Sequence, residues 1–214
     1  MPPRRVAVAA ATLNAVAGTY RAPDGSRLTI RVAGEKLLAD PAGQHAYLLL
    51  TVGDTTVAPR AAELNRKAAT IVEALVRGDV GPLRSALDDA PDSVELSRQE
   101  SGLMADRRNR LGAYQSFRVI GTVQAPGGPL QTTVRLDFEK GVATNIYFWN
   151  PDGRIVDLGA RPYQPTELIT VGEREFRSFN ARSGSGVRLR FEPGMTAAAV
   201  LADTKAGSVR LVRE

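Results

Sequence analysis

The chain has 214 residues, of which 43% are hydrophobic and 24% charged, a balance typical of one large folded domain or two small ones. These proportions exclude a largely disordered chain and a collagen-like repeat. The absence of cysteine excludes disulfides, zinc–thiolate sites and thiol nucleophiles, and a single histidine excludes sites built from several imidazoles. The net charge of +5 permits weak binding to anionic polymers without establishing it.

The N-terminus has some features of a secretory signal. Arg4 and Arg5 precede six apolar residues, 6–11. This run is shorter than the ~7–15 apolar residues that such signals use, so we favour a strand or turn that leads into the first domain. No segment approaches the roughly 18 apolar residues that a membrane-spanning helix requires, so no membrane span is expected.

Strand patterns follow. In residues 27–32, apolar side chains alternate with arginine and threonine, which predicts a strand with one buried face. Asp24-Gly25, just before it, is typical of a hairpin turn. Two further strands are predicted at 36–40 and 46–52.

The periodicity changes near Pro59. Apolar residues recur every three or four positions, which predicts helices at 60–77, 80–90 and 94–110. Period-two patterns then return, which predicts strands at 114–123, 130–139, 142–149 and 154–158. Three helices followed by a four-stranded antiparallel sheet are expected to form a compact α+β unit.

The remaining sequence predicts five more strands, at 167–171, 174–179, 186–192, 197–202 and 208–213. Neither terminal group of strands can bury a core by itself. Together they supply eight or nine antiparallel strands, enough to close a small barrel. We therefore predict a barrel built from residues 1–54 and 163–214, with an α+β unit at 55–162 inserted in it. The alternative is two sequential domains, with the first strands joining the central sheet.

Two blocks of sequence resemble the small lipocalin-like domain attached C-terminally to beta-lactamase-related serine hydrolases. The first block comprises residues 18–20 (GTY), 28–30 (LTI) and 34–38 (GEKLL). The second block comprises residues 165–168 (PTEL), 175–179 (EFRSF) and 187–192 (VRLRFE). The resemblance implies a lipocalin-like barrel, an accessory role beside a hydrolase, and a periplasmic or secreted location.

The central unit is similar to the nuclear transport factor 2-like fold, a cone of helices on a curved sheet. The similarity lies in residues 71–79 (IVEALVRGD), 138–141 (FEKG) and 149–155 (WNPDGRI). The hydrolase signatures S-x-x-K and G-x-S-x-G do not occur in the chain. The expected function is therefore a non-catalytic module that binds a small apolar ligand or a protein partner.

Few residues are suited to catalysis. His45 has no serine or cysteine partner nearby in sequence, and a surface position is expected for it. The acidic residues Asp88, Asp89, Asp92 and Glu95 lack the glycine of a cation-binding loop and are expected to cap a helix. No catalytic residue, metal site or cofactor is predicted.

The sheet offers the main candidate for ligand binding. Alternation places the apolar residues of segment 130–139 on one face, which we expect to face the helices. We assign the apolar residues of the next strand to the same inner face. A small apolar ligand would then contact Phe117, Val134, Leu136, Phe138, Ile146 and Phe148.

On the opposite face we expect an exposed strip of Arg135, Tyr147 and Trp149. The strip is either a docking surface, for a dimer partner or for the barrel, or a set of side chains that merely covers the sheet. Some nuclear transport factor 2-like proteins isomerise ketosteroids with acidic groups inside the cone. Asp137 and Tyr147 would form such a site only if they faced the helices. An isomerase- or cyclase-like enzyme therefore remains an alternative.

A further alternative is an anion-binding surface on the outside of the barrel. Its cations would be Arg31, Arg188, Arg190 and Arg210. The basic cluster Arg107, Arg108 and Arg110 on the third helix lacks interleaved stacking aromatics. We expect that cluster to be a solvated helix face, and no nucleic-acid partner is expected.

Overall fold

The computed structural model describes residues 4–124, 127–179, 186–204 and 207–214. The chain divides into two compact units, Met1–Val57 with Gln164–Glu214, and Ala58–Tyr163. The sequence placed these divisions after residues 54 and 162. Among these described residues, the first unit has a β-barrel and two helices, and the second has three helices and a separate four-stranded sheet.

The elements are numbered in chain order. The helices are α1 (Ala10–Val16), α2 (Gln44–Val52), α3 (Ala61–Val76), α4 (Gly81–Ala86) and α5 (Ser93–Leu111). The first seven strands are β1 (Gly18–Arg21), β2 (Arg27–Ala33), β3 (Lys36–Ala42), β4 (Tyr114–Gln124), β5 (Leu130–Phe138), β6 (Gly141–Trp149) and β7 (Ile155–Pro162). The last five are β8 (Thr166–Gly172), β9 (Glu175–Arg177), β10 (Arg188–Phe191), β11 (Ala199–Thr204) and β12 (Gly207–Arg213).

Eight antiparallel strands close the barrel in the order β1-β12-β11-β10-β9-β8-β3-β2. Strands from both ends of the chain therefore share one sheet, which confirms the predicted antiparallel barrel. The two ends meet at the β1–β12 pair, where Tyr20 lies opposite Arg213 and Arg21 lies opposite Val212.

Side chains fill the interior of the barrel. Leu28 and Ile30 of β2 are buried while the residues that alternate with them are exposed, as the period of two predicts. Phe191 packs edge-to-face against Tyr20 and Phe176, with ring centroids 5.6 and 5.5 Å apart. An eight-stranded barrel encloses just enough width for such packing, so this interior is a core.

Two short segments differ from their predicted structure. Residues 46–52 belong to helix α2 and not to a strand, and residues 10–16 form helix α1 where a strand or turn was expected. In α2 the consecutive residues Leu48, Leu49 and Leu50 are all buried. A short apolar run of this kind does not distinguish a helix from a strand.

The second unit has an antiparallel sheet in the order β4-β5-β6-β7. Its inner face packs against α3, α4 and α5 in one apolar cluster. The β5–β6 register pairs Val134 with Asn145 and Thr132 with Tyr147. Directly paired residues share a face of a sheet, so Tyr147 lies on the inner face with Val134. The predicted combination of three helices and four antiparallel strands is confirmed.

Helix α5 begins at a side-chain cap. The Asp92 carboxylate accepts a hydrogen bond from the Val94 backbone N–H at 2.8 Å. This interaction satisfies one of the N–H groups that lack a partner in the first turn of a helix. The predicted capping role of the acidic cluster is therefore confirmed at Asp92.

Candidate ligand-binding site

A cluster of polar side chains lies buried between α5 and β6. Arg107 is only 3% exposed, and its Nη2 donates a hydrogen bond to Asn145 Oδ1 at 2.6 Å. Asn145 Nδ2 donates in turn to the Tyr147 hydroxyl at 3.3 Å. A buried guanidinium is tolerated only where it is hydrogen-bonded, so these contacts fix the orientation of Asn145 and Tyr147.

The periods of helix and strand bring these residues together. On α5, Glu100, Met104 and Arg107 follow at intervals of four and three residues and therefore share one side of the helix. On β6, Asn145 and Tyr147 are two residues apart and lie on the same face. Packing of α5 on the inner face then places these two sets of side chains opposite each other.

A cavity of about 170 Å³ adjoins the polar cluster. Three leucines, Leu75, Leu83 and Leu103, form its apolar wall, and Glu100, Asn145 and Tyr147 contribute its polar groups. Residues Leu158–Ala160 of β7 and Ile146 complete the lining. The volume equals that of about five or six water molecules at ~30 Å³ each, so the cavity suits a small molecule.

Burial shifts the pKa values of the groups around the cavity. It raises the pKa of the Glu100 carboxyl, and the neighbouring Arg107 charge opposes this only in part. Burial also raises the pKa of Tyr147, so its hydroxyl stays protonated at neutral pH. The pKa of Arg107 is lowered by burial, against the effect of Glu100. The cavity therefore presents a neutral hydroxyl and a carboxyl that resists ionisation.

A second polar network on the inner face is structural. Thr122 Oγ1 donates to Asn65 Oδ1 at 2.8 Å and lies 2.6 Å from Thr132 Oγ1. Trp149 Nε1 donates to the same Thr132 hydroxyl at 2.8 Å. The indole donor and both hydroxyls have partners, so this network holds β4, β5 and β6 to α3.

A larger surface hollow of about 580 Å³ lies between α3, α4 and the β6–β7 turn. Its charged side chains already bind one another or backbone carbonyl groups. Lys67 Nζ lies 3.0 Å from Glu63 and 3.3 Å from the Gly153 carbonyl oxygen, and Arg154 Nη2 donates to the Leu87 carbonyl at 2.6 Å. Because these contacts dock the β6–β7 turn onto the helices, we do not take this hollow as the candidate site.

The six residues predicted to contact a ligand are divided between the two faces of the sheet. Phe117 pairs with Leu136, and both lie on the inner face with Val134 and Phe138. Ile146 and Phe148 pair with Thr133 and Gln131, which places them on the outer face. Of the six, only Ile146 adjoins the cavity, because it lies between Asn145 and Tyr147 on β6, and its side chain is on the outer face.

The prediction that Arg135, Tyr147 and Trp149 form an exposed strip is wrong for Tyr147 and Trp149. Tyr147 and Trp149 are each 1% exposed and belong to the core of the unit. Arg135 lies on the outer face, where its guanidinium stands 4.7 Å from the centre of the Tyr163 ring. The register of the β5–β6 hairpin causes this outcome, because directly paired residues share a face.

Asp137 and His45 lie away from the cavity. Asp137 is on the outer face, with Oδ1 2.7 Å from Arg135 Nε, so it does not share a site with Tyr147. His45 is in the first turn of α2, and its Nδ1 lies 3.1 Å from Asp24 Oδ2. Within the described part of the chain, no three His, Cys, Asp or Glu side chains gather into a metal-binding group.

The arginines considered for an anion-binding surface have carboxylate neighbours. Arg190 and Arg210 lie 2.7 and 2.9 Å from Asp203 and Glu192, and Arg188 is paired with Glu175. Arg31 is 3.8 Å from Asp40. These pairs offset much of the positive charge of the four arginines.

Glu100, Arg107 and Asn145 were not among the predicted site residues. Arg107 was assigned to an exposed basic cluster. It lies three residues after Met104 and four before Leu111, on the apolar side of α5. An arginine in an apolar stripe indicates a buried cation with a polar partner, and this signal could have identified it.

Comparison with known proteins gives no relative for this chain. No protein-family model, no curated protein and no solved structure matches it. Among the described residues, no helix is both long and apolar enough to span a membrane.

Proposed function

We propose that this protein is a non-catalytic binding module whose α+β unit takes up a small ligand beside Tyr147. The closed eight-stranded barrel and the resembling sequence blocks support a lipocalin-like domain of the type attached to beta-lactamase-related serine hydrolases. The three helices on a four-stranded sheet support an inserted nuclear transport factor 2-like cone. Because the barrel interior is packed with aromatic side chains, the ligand site is assigned to the α+β unit.

The observation that carries this proposal is a hydroxyl and a carboxyl facing an apolar cavity. Glu100 and Tyr147 reach a space whose wall is formed by leucines. Binding pockets are typically apolar with a few polar groups that orient the ligand. The chemistry favours a small, neutral molecule with one hydroxyl or carbonyl group and an apolar body.

Thermal melting with small probes tests this proposal. Phenol, cyclohexanol and cyclohexanone each have one polar group on an apolar ring, whereas benzene and cyclohexane have none. We expect the first three to raise the melting temperature more than the two hydrocarbons. Tyr147→Phe is expected to abolish that difference, because it removes the hydroxyl and leaves the ring in place.

The control for this test is Tyr114→Phe. Tyr114 is a half-buried tyrosine of the same unit that does not line the cavity. Its substitution is expected to leave the ranking of the probes unchanged. If benzene stabilises the protein as well as phenol does, or if Tyr147→Phe leaves the preference intact, the proposed polar site is wrong.

A second candidate function is proton transfer in the same cavity. It is favoured by one observation, that Tyr147 lies on the inner face near a carboxyl whose pKa burial raises. A carboxyl with a raised pKa is a stronger base once it is ionised, and a neutral phenol can stabilise an enolate. In this scheme Glu100 replaces Asp137, which lies on the other face.

Turnover of a small ketone separates the two functions. Exchange of the α-protons of cyclohexanone for deuterium, followed by NMR, would reveal enolisation. The binding-module proposal predicts no acceleration over buffer. Acceleration that is lost in Glu100→Gln, while binding of cyclohexanone persists, would establish the enzyme instead.

A further inference from the structure

Strand β7 is an end strand of the four-stranded sheet in the described part of the chain. Its first residue, Ile155, forms an isolated bridge with Leu87, and its last residue is Pro162. Most residues between these ends are exposed, and the apolar Leu158 has 40% of its surface exposed to solvent. A stretch of free strand edge is therefore available for pairing.

The hydrogen-bond pattern shows which backbone groups point away from the sheet. The Tyr163 N–H donates to Val142 O, and Arg161 O accepts from the Thr144 hydroxyl at 2.8 Å, so both residues direct these groups toward β6. Successive residues of an antiparallel strand direct their N–H and C=O groups alternately to one side of the strand and to the other. Leu158 and Ala160 therefore direct their N–H and C=O groups outward. The Leu158 N–H donates to the Asp157 side chain next to it, at 2.8 Å.

The outer-face residues of this edge carry opposite charges in a symmetric arrangement. Asp157 and Arg161 are both exposed and lie two residues before and after Gly159. We propose that β7 pairs in antiparallel fashion with β7 of a second copy of this chain, about a two-fold axis at Gly159. Asp157 then lies opposite Arg161 of the partner subunit, and Arg161 lies opposite the partner's Asp157.

The same register suits the other side chains and the backbone. Leu158 pairs with the partner's Ala160, so the outward N–H and C=O groups of these residues form hydrogen bonds between the strands. The Asp157 carboxylate then releases the Leu158 N–H and binds the partner's Arg161. The small Gly159 lies at the axis, where the two strands come closest. Leu158 and Ala160 also line the cavity, so the second copy would lie at its rim. The pairing does not depend on a bound ligand.

A charge swap tests the pairing. Sedimentation velocity over a range of concentrations is expected to show a monomer–dimer equilibrium for the wild type. Asp157→Arg or Arg161→Asp introduces two like-charge contacts per dimer and is expected to weaken association roughly tenfold. Within one chain these residues are about 13 Å apart along the strand, so only pairing between chains lets the double swap restore association.

The control is Asp106→Arg, which makes the same charge change at an exposed position of α5. It is expected to leave association unchanged. A wild-type chain that stays monomeric at its highest soluble concentration overturns the proposal. Single swaps without effect, or a double swap that fails to restore association, overturn it equally.

Cross-linking tests the register independently, since the natural chain has no cysteine. Gly159→Cys places two thiols opposite each other at the axis, and we expect a disulfide-linked dimer on mild oxidation. Asp157→Cys places its thiols about 13 Å apart and is expected to remain uncross-linked. If Asp157→Cys cross-links as fast as Gly159→Cys, the register is wrong. A circular dichroism spectrum matching the wild type shows that each variant is folded.

Discussion

At the scale of single residues, Arg107 dominates the candidate site. It is the link between α5 and β6, since its guanidinium binds Asn145, which in turn binds Tyr147. The arginine acts through these partners, because it does not itself line the cavity. Its role is to position the hydroxyl that a ligand would contact.

Replacement of Arg107 by methionine tests this role. The Asn145 side-chain oxygen would lose its donor in a buried position, which costs about 1–3 kcal/mol of unfolding free energy. Urea denaturation measures the loss. The matched control is Arg110→Met on the exposed side of α5, which is expected to change stability by less than about 0.5 kcal/mol. Equal effects of the two substitutions would contradict the buried role of Arg107.

The pH dependence of stability tests the environment of Glu100. Burial raises its pKa in the folded protein above the ordinary value of 4.5. The folded state then binds more protons than the unfolded state, so stability falls as pH rises from about 4.5 through the raised pKa. Glu100→Gln removes this penalty and is expected to be more stable than the wild type at neutral pH.

Urea denaturation of both proteins at several pH values measures this effect. The advantage of Glu100→Gln is expected to vanish well below pH 4.5, where the wild-type carboxyl is protonated in both states. A variant that is less stable than the wild type at neutral pH would show that Arg107 stabilises the carboxylate more than burial destabilises it. The carboxyl would then be an ordinary ion-pair partner.

At the scale of elements, α5 is stabilised from its first turn. Most of its surface is exposed, with Leu96, Met104 and Arg107 as its buried residues. A helix with so little buried surface depends more than others on local interactions. The Asp92 cap is one such interaction, and it supports the helix that carries Glu100 and Arg107.

Asp92→Ala is expected to lower the unfolding free energy by about 1 kcal/mol, the usual loss for an N-cap. Asp89→Ala, three residues earlier in the same acidic segment, removes a carboxylate that does not cap the helix and serves as the control. Chemical denaturation distinguishes the two. A loss at Asp89 as large as that at Asp92 would indicate a general charge effect instead of capping.

The elements also show what the sequence can and cannot reveal. Strong periodicity predicted α3, and alternation predicted most strands of both sheets. In α2 it failed, because Leu48, Leu49 and Leu50 are all buried and a short apolar run does not distinguish a helix from a strand. The faces of β6 were assigned from hydrophobicity. The β5–β6 turn pairs Phe138 with Gly141 and thereby sends Tyr147 inward, since register and not polarity decides which face a residue occupies.

At the scale of the whole molecule, the joining of the two chain ends defines the barrel. Strands β1–β3 and β8–β12 form it, while Ala58–Tyr163 is a separate unit between them in sequence. Pairing of both ends was predictable, because each group of strands would otherwise leave unpaired edges. The polar cluster beside the cavity was not predictable, because Arg107 and Asn145 meet only through packing of a helix on a sheet.

A disulfide across the seam tests the closure of the barrel. Arg21 and Val212 lie directly opposite each other on exposed positions of β1 and β12. Paired cysteines at these two positions are expected to oxidise and to stabilise the protein by about 2–4 kcal/mol. Cysteines at Arg31 and Val212, which the barrel keeps apart, are the control. Efficient cross-linking of the control pair, or none at 21 and 212, would contradict the seam.

The ligand site itself is tested most directly by methyl NMR of leucine-labelled protein during a titration with phenol. The account predicts that resonances of Leu75, Leu83 and Leu103 shift in a saturable manner, while those of the barrel residues Leu28 and Leu37 stay in place. Tyr147→Phe is expected to weaken the response. Saturable shifts confined to the barrel leucines, or no saturable shift at any leucine, would contradict a binding site beside Tyr147.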